Sequence, residues 1–502
     1  MEWLFEPVAC AEPARRIERR YDHTDLPAAS VPEVFGVQAG GLVVANLDDD
    51  PAFEIVRTTD TVVQLYDQGA DGEWRWAPDA LPALGPRVWN AASAADMDGD
   101  HDLDLVLGGF DAPKVLLRND GAAGFVDVTA ESGLDLSPVR SAGMAWADWN
   151  RDGVLDLAVA NYGGPPVGPA AAHPSELYLG RGDGTFTDVS HLLPHSLSES
   201  YTFLFAFFDL DHDGWPELLA SNDFPDVNPS VVLLNQASSF SPALGTGFAA
   251  GLDAMGVAAA DLNDDGVPDF LVSSINEFGM YWSVPVPDAP GGVVYVNRAP
   301  ELGLTHRPST FGWGVQFGDL DNDADEDLYL TFGDWKQLID VYGVVVPHPD
   351  KVWEQVDPDT WEDRAAAWGL FDDRTGRGLA LADIDRDGWL DPVVYTMEGA
   401  TVVHRARCGE AGWLTVRLRD EATANTRGIG AVVDVFVDGR RQRRWVTAGS
   451  TSMFTGQDPE IHVGLGDADM VDRVEVRWPD GEVSVREAFG SRQRLTIVRR
   501  GR

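Results

Sequence analysis

The chain has 502 residues, 44% of them hydrophobic, so it is long enough for more than one domain and apolar enough to be globular. Its formal net charge is −45, from 37 basic and 82 acidic residues, which argues against nucleic acid or an anionic membrane as a partner. No apolar run approaches the ~20 residues that a membrane span requires. The 52 glycines and 31 prolines, spread among many short apolar runs, predict an all-β, turn-rich protein.

Residues 1–30 form an N-terminal segment ahead of the first domain. Its start, MEWLFEPVAC, lacks the basic and apolar stretches of a signal peptide, so the sequence predicts no such peptide and leaves the export route open. Cys10 in this segment and Cys408 are the two cysteines of the chain, too few for a disulfide scaffold. Because they flank the repeats described next, a disulfide that ties the two ends together is one hypothesis, and two free thiols are the other.

Seven nine-residue stretches of one kind recur between residues 31 and 408. Acidic or amide side chains occupy positions 1, 3, 5 and 9, and most of the stretches lie between short apolar runs. We number them loops 1 to 7: NLDDDPAFE (46–54), DMDGDHDLD (96–104), DWNRDGVLD (148–156), DLDHDGWPE (209–217), DLNDDGVPD (261–269), DLDNDADED (319–327) and DIDRDGWLD (383–391). A period of about 50 residues with about four short strands is typical of propeller blades. We therefore predict a seven-bladed β-propeller over residues 31–408, with a linear β-solenoid as the alternative.

The spacing of the acidic side chains indicates a cation site in each loop. Carboxylates at alternate positions repel one another, and hard oxygen ligands at this spacing suit calcium. An EF-hand is excluded, because position 12 of loop 7 is Val394 instead of glutamate and strand-like segments flank the loop. We predict up to seven Ca²⁺ ions, with these candidate ligands: Asn46, Asp48, Asp50, Glu54, Asp96, Asp98, Asp100, Asp104, Asp148, Asn150, Asp152, Asp156, Asp209, Asp211, Asp213, Glu217, Asp261, Asn263, Asp265, Asp269, Asp319, Asp321, Asp323, Asp327, Asp383, Asp385, Asp387 and Asp391.

Position 6 distinguishes the loops from one another. It is glycine in loops 3, 4, 5 and 7, and glycine turns sharply at little cost. His101 and Ala324 take this position in loops 2 and 6, where a left-handed turn costs roughly 1 kcal/mol or more for alanine. Loop 1 has Pro51, whose φ is fixed near −65°. We therefore expect loop 1 to bind calcium most weakly or to stay empty.

The repeated motif and its period resemble the FG-GAP or VCBS repeats of integrin-α-type propellers over about residues 31–405. The resemblance implies calcium held by the side chains of positions 1, 3, 5 and 9 together with the main-chain carbonyl of position 7. Carried over to this chain, those carbonyls belong to Ala52, Asp102, Val154, Trp215, Val267, Asp325 and Trp389.

Connections between the second and third strands leave the propeller on the face opposite the calcium loops. Several of them are long and rich in proline, glycine and aromatic residues, a composition typical of ordered recognition loops. They are residues 161–176, 222–230, 276–292 and 333–350. We predict a ligand-binding surface there, with Tyr162, Phe224, Trp282 and Trp335 as contact residues.

Residues 411–499 show the period-2 alternation of a small all-β domain. Its stretches RGIGAVVDVFV (427–437), HVGLG (462–466) and VEVRWPDG (474–481) resemble the ASPIC/UnbV domain of cartilage-acidic-protein-like sequences, which implies a β-sandwich or barrel-like fold. The sequence departs from that family at Met453–Phe454, where tyrosine is usual, and at Val463, where phenylalanine is usual. From residue 410 onward the charge is nearly balanced, with 15 Arg and 14 acidic residues, which marks a boundary near residue 408.

The one basic patch of the chain is formed by Arg440, Arg441, Arg443 and Arg444. We expect it to be a solvated strand face, with docking against the acidic propeller as the alternative.

No nucleophile elbow, metalloprotease motif, phosphate loop or dinucleotide fingerprint is present, so the sequence predicts no catalytic residue. The first interpretation is an extracellular or periplasmic calcium-dependent protein that binds a protein or glycan ligand, because weak calcium loops would be empty in the cytosol. The second is an enzyme built on the propeller, with a site at the central channel or among the long connections. Its candidate carboxylates are Asp223, Asp226, Glu277 and Asp334. The third is a structural matrix protein that self-associates in calcium.

Overall fold

The computed structural model describes residues 1–8, 10, 21–27, 40–48, 50–59, 61–69, 71–85, 87–163, 173–198, 200–275, 277–304, 310–333, 348–397, 400–449, 452 and 454–501. Within them the chain is built from β-strands, and the one α-helix of this part has four residues, Ala365–Trp368. None of the described helices combines the length and the apolar character needed to cross a membrane.

Six sheets follow one another along the chain, and each contains four consecutive antiparallel strands. Their strands, listed from the innermost to the outermost, are β3–β6 (Leu42–Ala45, Glu54–Thr58, Val63–Gln68, Trp74–Trp76), β7–β10 (Trp89–Ala95, Asp104–Gly109, Val115–Asn119, Phe125–Asp127), β11–β14 (Ser141–Ala147, Asp156–Asn161, Glu176–Gly180, Phe186–Asp188), β15–β18 (Thr202–Phe208, Glu217–Asn222, Val231–Asn235, Phe240–Pro242), β19–β22 (Val257–Ala260, Asp269–Val272, Gly279–Pro285, Val293–Asn297) and β23–β26 (Gly312–Gly318, Asp327–Phe332, Lys351–Asp357, Thr360–Asp363). They are blades 1 to 6 of the predicted β-propeller, and the all-β propeller fold is confirmed.

The seventh blade closes the ring with a strand from the other end of the chain. It contains β27 (Gly376–Ala382), β28 (Asp391–Thr396) and β29 (Val402–Ala406), and its outermost strand is β2 (Tyr21–Asp25). Beside this blade, a disulfide joins Cys10 to Cys408, with 5.6 Å between their Cα atoms. The disulfide hypothesis is therefore confirmed. The N-terminal segment, which the sequence set apart, supplies an integral strand of the propeller.

The innermost strands consist largely of small residues because neighbouring blades approach one another closely around the axis. All seven residues of β7, WNAASAA, are buried. A Cβ atom on Gly143 would lie 2.7 Å from the carbonyl oxygen of Phe203 in the next blade, and one on Gly314 would lie 2.4 Å from that of Arg377. These strands are buried on both sides, so they lack the alternation of polar and apolar residues seen in half-exposed strands.

The C-terminal domain consists of two sheets that share one apolar core. The first sheet has the order β1 (Glu2–Pro7), β37 (Gln493–Arg499), β30 (Gly412–Asp420) and β34 (Ile461–Gly466), so the N-terminal segment contributes a strand here too. The second has the order β32 (Arg440–Trp445), β31 (Val432–Val437), β35 (Met470–Arg477) and β36 (Val483–Gly490). Val416 and Ile497 from the first sheet and Val433, Val474 and Val476 from the second belong to one buried cluster. The predicted small β domain is confirmed.

A segment of the C-terminal domain runs into the central channel of the propeller. We call residues 448–458 the plug; residues 450, 451 and 453 lie outside the described residues. Its strand β33 (Thr455–Gln457) pairs in parallel with β3, the innermost strand of blade 1. Trp146 N–H donates to the carbonyl of Ala448 (3.2 Å) on one side of the channel, and the Nε2 of Gln316 donates to Gln457 (2.8 Å) on another. The channel considered above as a possible enzyme site is therefore filled by the protein itself.

Candidate metal centres at the domain interface

All seven acidic loops connect the first and second strands of their blades, so they lie on one face of the propeller. Position 9 of each loop is the first residue of the second strand; these residues are Glu54, Asp104, Asp156, Glu217, Asp269, Asp327 and Asp391. The strand–loop–strand arrangement inferred from the sequence is thus present in every blade.

The carboxylate at position 9 fastens the loop to its own blade. In loop 2, the Oδ2 of Asp104 accepts a hydrogen bond from Met97 N–H (2.9 Å), and its Oδ1 accepts one from Asn119 N–H (2.8 Å) in the third strand. The pattern recurs in loop 5, where Asp269 accepts from Leu262 N–H (2.7 Å) and Ser283 N–H (2.6 Å). The sequence predicted position 9 only as a calcium ligand, and this additional role requires the third strand to be in place.

The backbone of the loops is tightly turned at two positions. Position 6 is left-handed as expected, with φ of 82° at both His101 and Ala324 and φ of 85° to 90° at the four glycines. Position 4 is left-handed as well, with φ of 62° at Arg151 and 59° at Asn322, which the sequence did not indicate. These turns aim backbone N–H groups at the side chain of position 1. In loop 6, Asp319 accepts from Asp323 N–H (3.0 Å) and Ala324 N–H (2.8 Å).

Carboxylates converge in several loops as a cation site requires. At least four loops each bring together three carboxylate oxygens within 4.8 Å of one another: Asp48, Asp50 and Glu54; Asp96, Asp98 and Asp104; Asp209, Asp211 and Glu217; Asp319, Asp321 and Asp327. A further group joins Asp321 and Asp323 to Glu354. Glu354 lies in strand β25, outside the repeated motif, and no local pattern could have identified it.

Burial makes these carboxylates unfavourable as isolated charges. It raises the pKa of Glu54 and of Glu217 to about 8, and that of Asp98 to about 6, with repulsion from the neighbouring aspartates adding to the effect. Buried oxygens of Asp98 and Asp209 have no hydrogen-bond donor among the described residues. Oxygens that are buried, close together and without donors fit a divalent cation, which would favour the ionised form of each group.

The C-terminal domain packs onto this face of the propeller, and its arginines reach the loops. Arg441 forms an ion pair with Asp261 of loop 5 (3.0 Å), Arg440 forms one with Asp325 of loop 6 (2.6 Å), and Arg444 forms one with Glu326. Arg443 donates to the carbonyl of Gly266 (2.9 Å). The expectation of a solvated basic strand face is therefore wrong. The alternative, docking against the acidic propeller, is what the structure shows, because the acidic loops are the surface on which strand β32 is packed.

Loop 7 receives the most deeply buried of these contacts. Arg494 forms an ion pair with Asp383 (2.6 Å), and both side chains are almost completely buried. Burial nevertheless raises the pKa of Asp383 to about 7. The Nε2–H of His462 donates to the Gly388 carbonyl (3.0 Å). Burial lowers the pKa of the His462 imidazole to about 4, so the ring is neutral at pH 7. His462 belongs to the HVGLG stretch.

The same HVGLG stretch packs against loop 6. A Cβ atom on Gly464 would lie 1.9 Å from the Oδ2 of Asp319, so only glycine allows the two domains to approach this closely. Gly466 N–H donates to the carbonyl of Asn322 (2.9 Å) in the same loop. Part of the motif that identifies the C-terminal domain thus serves its contact with the acidic loops.

Loop 1 differs from the others in how its own groups are used. The amide Nδ2 of Asn46 donates to the carbonyl of Ala52 (2.9 Å), the oxygen that the family resemblance assigns to calcium, and to that of Asp50 (2.6 Å). The backbone at Pro51 does not adopt the left-handed conformation found at position 6 of the other loops. The expectation that loop 1 is the weakest site stays a prediction, and this hydrogen bond is consistent with it.

The aromatic residues expected on the opposite face are mainly packing residues. Tyr162 is buried, its hydroxyl donates to Asp223 (2.7 Å), and its ring stacks on Phe203 with 4.2 Å between centroids. Phe224 is half-buried and packs edge-on against Tyr201. The expectation that Tyr162 contacts a ligand is therefore wrong, because its side chain fills the core around the channel.

The other residues predicted for that face, two tryptophans and four carboxylates, differ in their position and burial. Trp282 lies in strand β21 beneath the Arg298 guanidinium (4.2 Å) instead of in a loop, and Trp335 lies outside the described residues. Of the candidate carboxylates, Asp223 is buried and its pKa is raised to about 6 by burial, whereas Asp226 and Glu277 are exposed. Asp334 lies outside the described residues.

Comparison with known families agrees with the two-part organisation. The ASPIC and UnbV family profile matches residues 421–502, and the FG-GAP-like repeat profile matches residues 96–159, 167–220 and 209–272. Cartilage acidic protein 1 of Mus musculus is 26% identical over 481 residues, which are 88% of this chain and 71% of that protein. The Homo sapiens protein of the same name is 35% identical over 236 residues, which are 45% of this chain and 33% of that protein.

Solved propeller structures are similar at low sequence identity. BBS1N in its complex with ARL6DN has 10% identity and a TM-score of 0.46, covering 78% of this chain and 98% of that chain. A lectin from Agrocybe aegerita has 14% identity and a TM-score of 0.43, covering 74% of this chain and 94% of that chain.

Proposed function

The chain belongs to the cartilage-acidic-protein-like family of FG-GAP-repeat propellers with a C-terminal ASPIC/UnbV domain, and from this premise we propose that it is a calcium-stabilised extracellular or periplasmic binding protein. The observation that carries the proposal is the convergence of carboxylates in the acidic loops, with at least one buried member in each of these groups. Calcium bound there would neutralise the repulsion among them. The side chains at positions 1, 3, 5 and 9 would hold it, and at loop 6 Glu354 of strand β25 would join them.

The disulfide and the type of loop support the proposed compartment. A disulfide between Cys10 and Cys408 persists in an oxidising compartment and is rare in the cytosol. Extracellular calcium modules bind with Kd of order 10⁻⁴ to 10⁻³ M, so they fill only where calcium is abundant. Both considerations support an extracellular or periplasmic protein.

The ligand is proposed to be a protein or glycan that contacts the face opposite the metal loops. The two most exposed large apolar side chains of the described residues, Val227 at 58% and Leu244 at 78%, lie in connections of blade 4. Val227 follows the second strand of the blade and Leu244 follows its outermost strand, so both connections emerge on that face. They take the place of the buried Tyr162 as candidate contact residues.

The calcium part of the proposal is tested by melting and by mass measurement. Chelation with EDTA should lower the melting temperature of the intact protein markedly, because each ion at 100 times its Kd stabilises the folded state by about 2.7 kcal/mol. Native mass spectrometry in calcium should show several bound ions. The proposal would be overturned if chelation leaves the melting curve unchanged and native mass spectrometry detects no bound calcium.

A matched pair of variants identifies the sites. Asp319→Asn in the buried loop 6 should remove one bound calcium and lower the melting temperature in calcium. Asp48→Asn in loop 1 should change both quantities less, because Asp48 is exposed and its loop is already held by the Asn46 hydrogen bonds. Equal losses in the two variants would contradict the ranking of the loops.

A further inference from the structure

Loop 4 is the metal loop that the C-terminal domain leaves uncovered. Loops 1, 2, 3, 5, 6 and 7 each receive a hydrogen bond from that domain or donate one to it. Within the described part of the chain, no hydrogen bond or ion pair joins that domain to loop 4. A cavity of about 190 Å³ lies between them instead, enclosed by blades 3 and 4, strand β35 and the start of the plug.

The walls of this cavity are largely apolar. Trp146 and Phe207 line it from the propeller, and Trp445 and Trp478 line it from the C-terminal domain. An apolar cavity of about 150 Å³ is large enough to bind benzene. The space therefore suits a single aromatic ring or a branched alkyl group and is too small for a folded partner.

Two arginines at the cavity have no carboxylate partner. Arg151 of loop 3 and Arg477 of strand β35 are exposed residues that line it, and neither forms an ion pair within the described residues. The Arg151 guanidinium lies over the Trp215 ring of loop 4 at 5.4 Å, a contact that leaves its hydrogen-bond donors without a carboxylate. By contrast, Arg440, Arg441 and Arg444 of the C-terminal domain are each paired with an acidic side chain of the propeller. In a chain with a net charge of −45, two guanidinium groups without a carboxylate partner beside an apolar cavity are complementary to an anionic ligand. Guanidinium groups recognise carboxylates through paired hydrogen bonds.

We propose that this cavity binds a carboxylate that carries one aromatic or branched apolar group, supplied either by a free small molecule or by the C-terminal residue of a peptide. The carboxylate is held by Arg477 and Arg151, and the apolar group packs among the tryptophans. Asp148, Asp209 and Asp213 also line the cavity and would repel an anion. Binding therefore requires calcium in loops 3 and 4, and this dependence rests on the proposed function.

The experiment uses the full chain in calcium, titrated with phenylacetate and with neutral phenylacetamide while tryptophan fluorescence is recorded. Phenylacetate should bind saturably, and phenylacetamide at least about tenfold more weakly, because a hydrogen bond to a charged group contributes more than one to a neutral group. Arg477→Gln should weaken phenylacetate binding by about tenfold or more. Thr447→Phe, which adds a ring to the cavity wall, should abolish it.

Arg473→Gln is the matched control. Arg473 lies in the same strand but outside the cavity, with its guanidinium over the Phe436 ring at 3.9 Å, so this variant should bind phenylacetate normally. A pentapeptide ending in phenylalanine, compared with its amidated form, separates the two sources. Tighter binding of the free-acid peptide than of phenylacetate would indicate a chain terminus, and equal or weaker binding would indicate a small carboxylate.

The proposal is overturned if phenylacetate does not saturate the protein, if acid and amide bind equally, or if Arg477→Gln binds as the parent does. A protein that calcium stabilises but that fails these tests would refute this inference alone and leave the proposed function intact.

Discussion

The two faces of the propeller are built from different chemistry. The face that carries the acidic loops presents clustered carboxylates, and it is covered by a second domain whose arginines and main-chain groups contact those loops. The opposite face closes with aromatic packing, as in the stack of Tyr162 on Phe203 beside Trp313. One face thus depends on charge compensation and the other on apolar burial. Conditions that change charge should act on the first face and leave the second almost unaffected.

The plug connects the two faces. It begins beside Trp146 near the metal loops, and its Phe454 reaches the first residues of the innermost strands, where its carbonyl accepts from Leu42 N–H (3.2 Å). The Phe454 ring is buried and lies edge-on to Phe203 with 6.5 Å between centroids. The C-terminal domain therefore contributes to the apolar core of the face that it does not cover.

The largest predicted effect is that of Phe454→Ala. Removing a buried phenylalanine side chain costs about 3–5 kcal/mol, from lost burial and the cavity left behind. We expect this loss in the free energy of unfolding, measured by denaturant titration in saturating calcium. Leu244→Ala is the control, because its side chain is exposed and its removal should change stability by less than about 0.5 kcal/mol. A similar small change for Phe454→Ala would mean that the plug does not stabilise the channel.

The second prediction concerns the charged face. In calcium-free protein, burial holds the pKa of Glu54 and of Glu217 at about 8 and that of Asp383 at about 7, above the ordinary value of a carboxyl group. The folded state therefore binds more protons than the unfolded state between about pH 4 and pH 8. The stability that these groups contribute is complete below the unfolded pKa and is lost as the pH rises through the folded pKa.

Melting in EDTA should consequently occur at a higher temperature at about pH 5 than at about pH 8. Calcium should remove or reverse this difference, because it binds the ionised carboxylates and competes with protons. Melting curves at the two pH values, with EDTA and with calcium, measure both effects. A calcium-free protein that is more stable at the higher pH would show that these carboxylates are already compensated in the apo state.

Whether a contact could be predicted from the sequence depends on how far apart its residues lie along the chain. The acidic loops were predictable because their candidate ligands lie within nine residues and the pattern recurs seven times. The ring closure was open to inference because Cys10 and Cys408 flank the repeats. Glu354 and Arg494 were not predictable, because they meet their loops only after distant strands have packed, and nothing in their local sequence marks them.

The insertions illustrate a second limit. Their proline, glycine and aromatic residues are typical of surface recognition loops, yet Tyr162 follows a buried strand and turns inward onto Phe203. Composition describes a segment, whereas burial is decided residue by residue by what the neighbouring blade offers. The same limit applies to the arginines of strand β32, whose acidic partners lie in another domain.

The smallest predicted effect tests this assignment of Tyr162 to packing. Tyr162→Phe keeps the ring and removes only the hydroxyl that donates to the buried carboxylate of Asp223, which retains the Phe224 N–H (2.9 Å) as a donor. We expect a loss of about 1 kcal/mol in the free energy of unfolding, as for a single hydrogen bond to a buried group. Calcium stoichiometry by native mass spectrometry should be unchanged, since the residue lies far along the strand from loop 3. A variant with unchanged stability would show that the hydrogen bond to Asp223 does not stabilise the core. A lost calcium ion would show that the two faces are coupled through the blade.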